Sequence, residues 1–311
     1  MQTYYNIDGG YPQLTQDPLA PILVCIAPDE AERHDLASAW DLDPFDIDSA
    51  LDPDEVSRFE WSKGRVSLIW KRPKSASMDR GLRLDVSSCG LFYANGKLLI
   101  LLAEDPCPLA AKQFQHCASV KEVILALLLH IVQHYVGHLK VIKQISNALE
   151  EKITSTTENR YLVQMFHLSE NMIYYVDAIE SNGATLFKLR AAAGRMNLSE
   201  DEISSLDELI LENQQCARQA HIYSAVLSGL MDARGSIINN NMTVLLKKLT
   251  IINLVFLPLN LIAGIGGMSE FSSWTHHLDW RLSYGLFCLG MIALGWLTWW
   301  FMTRTFDRPE K

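Results

Sequence analysis

The stretch that decides the fold is LTIINLVFLPLNLIAGIGGM, residues 249–268, in which 20 consecutive residues carry no charge. A second uncharged stretch, residues 282–302, is 21 residues long. A helix rises about 1.5 Å per residue, so about 20 apolar residues cross a hydrocarbon core of roughly 30 Å. Buried helices of soluble proteins rarely stay uncharged over such a length. The sequence therefore predicts two transmembrane helices at its C-terminal end.

Charged residues beside the two predicted spans indicate their orientation. Lys247 and Lys248 precede the first span, and Arg304 and Arg308 follow the second. The connector between the spans has acidic residues but no lysine or arginine. Because positive loops stay on the cytoplasmic side, we expect both termini in the cytoplasm. The protein is thus predicted to be a multi-pass protein of a bacterial-type inner (plasma) membrane.

The rest of the chain is predicted to be an acidic cytoplasmic region. Six of the 27 basic residues and four of the 36 acidic ones lie from residue 246 onward, which leaves a net charge of −11 before that point. Such a charge argues against nucleic acid as a partner, since phosphates would be repelled. The six cysteines are scattered and follow no apolar leader, so we expect free thiols in a reducing compartment.

Residues 1–118 have the pattern of an α/β domain. Apolar, β-prone runs at residues 21–26 and 65–71 predict strands. Residues 90–102, GLFYANGKLLILL, predict a hairpin because Asn95 and Gly96 tolerate the positive φ of a tight turn.

From residue 119 the pattern becomes helical. Apolar periodicity predicts helices over residues 119–149 and 159–193. Ser199 and Glu202 form a capping-box pattern, after which no proline occurs until Pro258. We therefore expect one helix from about Asp201 into the first span, on the order of 100 Å long. This very long stalk helix would join the cytoplasmic part to the membrane.

These patterns predict three regions. They are an α/β cytoplasmic domain over residues 1–118, a long-helix and stalk region over 119–245, and a two-span pore module over 246–311 with a short outer loop and a cytoplasmic tail. Two spans cannot enclose a water-filled path. Conduction by this chain would require an oligomer.

One face of the first predicted span carries its polar residues in heptad rhythm. Steps of three and four residues keep one seam of a helix facing a partner. Lys247 and Lys248 lie off this seam, as a cation path requires. Either the seam lines a pore, or its amides and hydroxyls form hydrogen bonds between helices. The predicted pore-lining residues are Thr243, Leu246, Thr250, Asn253, Leu257, Asn260 and Gly264.

Residues 249–271 resemble the pore helix and signature of the CorA family of magnesium, cobalt and zinc transporters. That family's pattern is an aliphatic-Pro-Leu-Thr-Phe-Ile-Ala-Gly run that closes in Gly-Met-Asn. Asn260 stands at the threonine position and Ser269 at the final asparagine, and the acidic segment that follows the motif in the family is absent. These departures concern ion selectivity. The positions retained in register are Pro258, Leu259, Ile262, Ala263, Gly264, Gly267 and Met268.

The resemblance implies a homopentamer whose first spans line a central pore and whose second spans lie outside. It implies that hydrated divalent ions meet a ring of Gly267, Met268 and Ser269 at the outer mouth. It also implies an acidic cytoplasmic funnel whose carboxylates bind the transported metal between subunits and hold the pore shut. Mg²⁺ dehydrates reluctantly, so recognition through its water shell is physically reasonable.

Six acidic residues crowd the start of the predicted stalk. Glu200, Asp201 and Glu202 stabilise the helix N-terminus electrostatically. Glu208 and Glu212, one turn apart, are the candidates for a regulatory cation site.

Five histidines are weaker metal-site candidates. His130, His134 and His138 recur every four residues, a spacing that can bind zinc but more often forms a packed or solvated stripe. His276 and His277 in the outer connector could gather a soft divalent ion.

The sequence thus predicts a homopentameric divalent cation channel or transporter, with Mg²⁺ as the leading ion. Zn²⁺ or Co²⁺ transport is an alternative within the family, and a non-conducting membrane-anchored sensor or interaction protein is an alternative outside transport. No phosphate-binding loop, nucleophile elbow or HExxH motif occurs, so no enzyme and no cofactor other than the ion is predicted.

Overall fold

A computed structural model describes residues 1–62, 64–74, 84–104, 109, 114–155, 159–269, 273 and 279–306. The chain divides into two compact units, Met1–Met231 and Asp232–Lys311. The three regions predicted from the sequence, with boundaries at residues 118 and 245, stay a prediction.

Seven strands in the first unit form one mixed sheet with the order β2-β1-β3-β7-β6-β5-β4. The β3–β7 pair is parallel, and the other five pairs are antiparallel. The predicted hairpin is confirmed, with φ of +51° at Asn95 and +77° at Gly96. The strands are β1 (Gln2–Asp8), β2 (Tyr11–Thr15), β3 (Ile22–Ile26), β4 (Arg58–Ser62), β5 (Arg65–Pro73), β6 (Val86–Ala94) and β7 (Lys97–Leu102).

Six helices complete the described structure. The predicted order of a sheet-containing domain, long helices and apolar C-terminal helices is confirmed. The long helix contains 67 residues, from Glu200 to Gly266, and it begins where the capping box predicts. The helices are α1 (Glu30–Trp40), α2 (Pro44–Leu51), α3 (Val120–Ser155), α4 (Asn159–Ala191), α5 (Glu200–Gly266) and α6 (Trp280–Phe306).

The sheet has a hydrophobic core on each face, because alternate residues of a strand point to opposite sides. On β3, Leu23 and Cys25 join a small core with α1 and α2. Ile22 and Val24 join a larger core that contains buried residues of α3, α4 and the first part of α5. The first unit is therefore a three-layer α/β/α structure.

The starts of α3 and α5 are tied together by Glu202, which is 6% exposed. Its backbone N–H donates to Ser199 Oγ at 3.1 Å, and its carboxylate accepts from the Ser199 N–H at 2.9 Å, which confirms the predicted capping box. The same carboxylate accepts from Ser119 Oγ, also at 2.9 Å. Ser119 in turn caps α3 by accepting from the Glu122 N–H at 3.0 Å.

Three helices of the described chain are long and apolar enough to cross a membrane. The most apolar window of α3 is 56% buried within the structure, so the core of the first unit already accounts for its hydrophobic face. The corresponding windows of α5 and α6 are 6% and 0% buried. Their apolar surfaces are consistent with the two predicted transmembrane helices.

Candidate cation-conduction site

The seven residues of the predicted pore seam all lie on the exposed surface of α5. Leu246 is 56% exposed and Leu257 is 70% exposed. Exposed leucines beside exposed amides within a membrane span need either lipid or another protein chain as a neighbour.

The opposite face of this part of α5 packs against α6. A Cβ added to Gly266 would come within 2.5 Å of Phe287 Cζ, and one added to Gly295 would come within 3.3 Å of Leu259 Cδ1. The two contacts show that the helices run antiparallel. The half-buried and buried residues of α5 repeat on this side, at Ile251, Val255, Pro258, Leu259, Ile262 and Gly266.

Helix geometry separates the seam from the α6 contact. Asn253 lies two residues from both Ile251 and Val255, which is about 200° around a helix at 100° per residue. Asn260 stands in the same relation to Pro258 and Ile262. The seam and the α6 contact are therefore on nearly opposite sides of α5.

The hydroxyl groups of the seam already donate to the helix backbone. Thr243 Oγ1 donates to the Asn239 carbonyl at 2.9 Å, and Thr250 Oγ1 donates to the Leu246 carbonyl at 2.8 Å. With their protons used in this way, the hydroxyl oxygens can only accept, which suits a cation or the water shell of one.

The asparagines of the seam are different. The Asn253 and Asn260 amides make no hydrogen bond to any residue in the part of the chain that the structure describes. Each amide offers two donors and one acceptor oxygen. The seam thus presents amides that still need partners.

The predicted entrance motif follows the last turn of α5. The Gly267 N–H donates to the Ala263 carbonyl at 3.0 Å, and the Met268 N–H donates to the Ile265 carbonyl at 3.1 Å. Gly267, Met268 and Ser269 are all exposed. His276 and His277 lie outside the described residues.

Sequence reasoning missed an extension of the seam. Continuing its steps of four and three residues toward the N-terminus of the second unit gives Asn239, Ser236 and Asp232, all exposed. The signal is the same heptad rhythm, which continues beyond the N-terminal end of the apolar stretch. Asp232 adds a carboxylate to the face that carries the amides and hydroxyls.

A profile for the CorA-like Mg²⁺ transporter protein family matches residues 22–304. The chain belongs to this family. It is also 25% identical over 174 residues to the cobalt/magnesium transport protein CorA of Thermotoga maritima. That match covers 55% of this chain and 49% of the relative, so it spans about half of the relative's length.

Several solved structures share the fold of this chain. The complete CorA magnesium transporter from Methanocaldococcus jannaschii has a TM-score of 0.76 at 16% identity, covering 100% of this chain and 98% of that one. The full-length CmaX protein has a TM-score of 0.71 at 16% identity and 97% coverage of both chains. The cytoplasmic domain of ZntB from Vibrio parahaemolyticus has a TM-score of 0.60 at 10% identity, covering 76% of this chain and 98% of that one.

In the described part of this CorA-family chain, the stalk carboxylates are not grouped with other candidate metal ligands. Glu208 is exposed and Glu212 is half-buried. Asp207 is paired with Arg190, whose Nε lies 2.6 Å from Asp207 Oδ1, and this contact lowers the pKa of Asp207. Among the described residues, no three His, Cys, Asp or Glu side chains are grouped to hold a metal ion. The regulatory role of Glu208 and Glu212 stays a prediction.

The histidine stripe of α3 is a packed feature. His138 is 9% exposed, and its Nδ1 lies 2.7 Å from the hydroxyl oxygen of Tyr175 on α4. The His134 and His138 rings meet edge to face with centroids 4.4 Å apart. Burial lowers the pKa of both His130 and His138. The described residues thus favour the packed alternative over a three-histidine metal site.

Proposed function

We propose that this protein is a homopentameric channel or transporter for divalent cations, with Mg²⁺ as its main ion and with the seam of α5 lining the pore. Five copies would place five first spans around a central axis and the second spans outside them. The ion would pass the rings of Asn260, Asn253 and Thr250 and would leave past Asp232.

The observation that carries the proposal is the separation of the two faces of α5. The α6 side is occupied by the contacts of Gly266 and Leu259, whereas the polar seam is exposed over its whole length. Amides exposed to hydrocarbon are costly, by several kcal/mol for each unsatisfied group. A shared aqueous path would satisfy them, and it would require no rearrangement of the α5–α6 pair.

The proposal is tested by ion flux in proteoliposomes. We expect Asn260→Leu to lower Mg²⁺ flux at least about tenfold, because the ion's hydration shell loses a ring of polar partners. Asn260→Thr, which keeps a polar oxygen at this level, is the matched control and should retain most of the flux. Normal flux in Asn260→Leu would assign the amide to hydrogen bonds between helices.

The same assay separates the alternative functions. At the proposed outer mouth Ser269 supplies a hydroxyl, which is shorter than an amide and has one donor. Because this difference concerns ion selectivity, flux is measured with Mg²⁺, Co²⁺ and Zn²⁺ in competition. The relative fluxes then show which ion the protein prefers. An assembled protein that conducts none of the three would favour the membrane-anchored sensor, and in that case the proposed transport is wrong.

We propose that Glu208 and Glu212 bind a divalent ion between neighbouring subunits and that this ion regulates gating. The exposure of Glu208 and the half-burial of Glu212 in the single chain support this location. A bound ion that prefers the closed state shifts the population toward it. High Mg²⁺ should then protect the protein from protease, and Glu208→Gln/Glu212→Gln should remove that protection. Unchanged protection would place the regulatory ion elsewhere.

The proposed location is the inner (plasma) membrane with both termini in the cytoplasm. The asymmetry of basic residues around the spans supports this orientation. The acidic first unit, with its free buried cysteines Cys25, Cys89, Cys117 and Cys216, fits a reducing cytoplasm.

A further inference from the structure

A large open cavity lies within the first unit. It has a volume of about 910 Å³ and lies between the end of β5, the start of β6 and the facing halves of α3 and α4. Small-molecule sites commonly have volumes of about 300–1,000 Å³. The cavity is therefore large enough for an organic ligand.

Part of the cavity wall is apolar, and the residues at its exposed edge include four acidic ones. The polar residues Gln164, His167 and Asn171 also line it. Leu149 and Leu168, which are 6% and 3% exposed, form part of the helical wall. The rim carries four exposed carboxylates, from Asp54, Asp85, Glu170 and Asp177. Tyr174, which is 60% exposed, adds an aromatic face beside them. Aromatic faces and carboxylates both attract ammonium groups.

The charges of the cavity do not cancel. Among the Asp, Glu and Lys side chains that line the cavity in the described part of the chain, four carboxylates stand against the ammonium groups of Lys71 and Lys74, which leaves a formal charge of −2. One of the carboxylates, Glu170, has its Oε2 3.6 Å from His167 Nδ1. Lys74 also pairs with Glu104, whose Oε2 lies 3.1 Å from Lys74 Nζ. An anionic ligand would thus meet net repulsion, whereas a ligand with two or more positive charges would be attracted.

The cavity already holds one ammonium group at its base. Lys71 is 6% exposed, and its Nζ donates to the Pro53 carbonyl. Burial lowers the pKa of Lys71, while the nearby Asp54 and Asp177 act in the opposite direction. The nearby carboxylates therefore offset part of the effect of burial on this ammonium group.

A metal ion fits this cavity poorly. Metal sites gather three or more ligand atoms around one point, and the described residues contain no such group of His, Cys, Asp or Glu. The carboxylates instead come from three places in the fold: Asp54 follows α2, Asp85 precedes β6, and Glu170 and Asp177 are seven residues apart on α4. This arrangement matches a chain of methylene groups with separated ammonium groups.

We propose that this cavity binds a linear polyamine of the spermidine class, with its ammonium groups at the acidic rim and its methylene chain on the Leu149 and Leu168 wall. Binding of such a ligand would make the transporter responsive to organic cations, which share the cytoplasm with divalent ions. The proposed site does not depend on the proposed pore.

The test is calorimetric titration of spermidine into the full-length protein in detergent, at constant ionic strength. The variant Asp85→Asn/Glu170→Gln removes two rim charges without changing side-chain size. We expect it to weaken spermidine binding about tenfold, since charge-assisted contacts are lost. The matched control is Glu30→Gln/Asp35→Asn on α1, which lies on the other face of the sheet and removes the same formal charge. It should change the affinity less than about twofold.

Thermal unfolding of each variant shows whether it is folded before titration. No binding heat with the unaltered protein would overturn the proposal. Equal weakening in both double variants would also overturn it, because the binding would then follow net charge alone. Full displacement of spermidine by stoichiometric Mg²⁺ would assign the cavity to a metal instead. Because binding is measured without flux, a failure of the proposed transport would leave this result unaffected.

Discussion

At the residue scale, single buried polar side chains decide how the helices sit on the sheet. Asn182 on α4 is fully buried, and its amide pairs with the Lys71 backbone in both directions, at 3.0 Å and 2.9 Å. Its oxygen also accepts from Ser57 Oγ at 2.7 Å. Asn182 thus substitutes for a neighbouring strand at this point of β5. Nothing in the sequence around Asn182 distinguishes it from an exposed helix residue.

His138 predicts a loss of stability in mild acid. Because burial lowers its pKa below the ordinary value of 6.5, the unfolded chain binds the proton before the folded one does. The contribution of His138 is therefore complete above pH 6.5 and decreases as the pH falls through and below that value. The slope is at most about 1.4 kcal/mol per pH unit for one group.

The measurement is denaturant unfolding of the full-length protein at several values between about pH 7.5 and about pH 5, on both sides of the ordinary histidine pKa. His138→Gln keeps a partner for the Tyr175 hydroxyl but does not titrate, so the pH dependence should become shallower. His34→Gln, at an exposed position on α1, is the control and should leave the slope unchanged. An unaltered slope in His138→Gln would show that other groups set the acid sensitivity.

At the element scale, the sequence was informative where the signal is local. The Asn95-Gly96 turn and the Ser199–Glu202 capping box lie within four residues, and both were predicted correctly. The parallel β3–β7 pair was not predictable, because it joins residues 22–26 with residues 98–102. β1, β2 and β4 were also missed, since their polar, half-exposed residues lack a clear period-two pattern.

The α5–α6 contact gives a matched pair of glycine substitutions. A Cβ on Gly266 would meet the Phe287 ring at 2.5 Å, whereas nothing lies within 4 Å of a Cβ on Gly264. Alanine favours a helix over glycine by about 1 kcal/mol. We therefore expect Gly266→Ala to lower the thermal unfolding temperature in detergent, and Gly264→Ala to leave it unchanged or raise it.

Flux adds a second measurement for the same pair. Gly264 lies on the proposed pore seam, so Gly264→Ala should alter conduction in a protein that stays well folded. Combining Gly266→Ala with Phe287→Leu should recover part of the lost stability, because the smaller side chain makes room. If both glycine substitutions lowered the unfolding temperature equally, the α5–α6 contact would not be the reason.

At the scale of the whole molecule, hydropathy alone does not separate membrane helices from core helices. α3 passes the same length and composition limits as α5 and α6. The difference is that the first unit provides partners for the apolar face of α3, including the sheet residues Trp70 and Leu91. The uncharged stretches at residues 249–268 and 282–302 led to the prediction of two transmembrane helices, and the exposed apolar surfaces of α5 and α6 are consistent with it. Burial in the first unit explains why α3 is not a third one.

The exposed seam also predicts that the chain associates with other copies of itself. In an isolated chain within a bilayer, Asn253 and Asn260 would face lipid, where each unsatisfied amide costs several kcal/mol. The α6 helix of the same chain cannot cover them, because it occupies the opposite side of α5. Other copies of α5 can cover them in either of two ways, around a water-filled axis or through direct hydrogen bonds between helices.

Native mass spectrometry from mild detergent should show a complex of about five times the 35.1 kDa chain mass, which is the stoichiometry that the family resemblance implies. If the amides contact water in a pore, Asn253→Leu/Asn260→Leu should still assemble but should not conduct, since apolar rings also pack well between helices. If the amides join the helices directly, the same variant should dissociate into smaller species. A stable monomer or dimer of the unaltered protein would contradict the pentamer, because one or two copies of α5 cannot enclose a path for a hydrated ion.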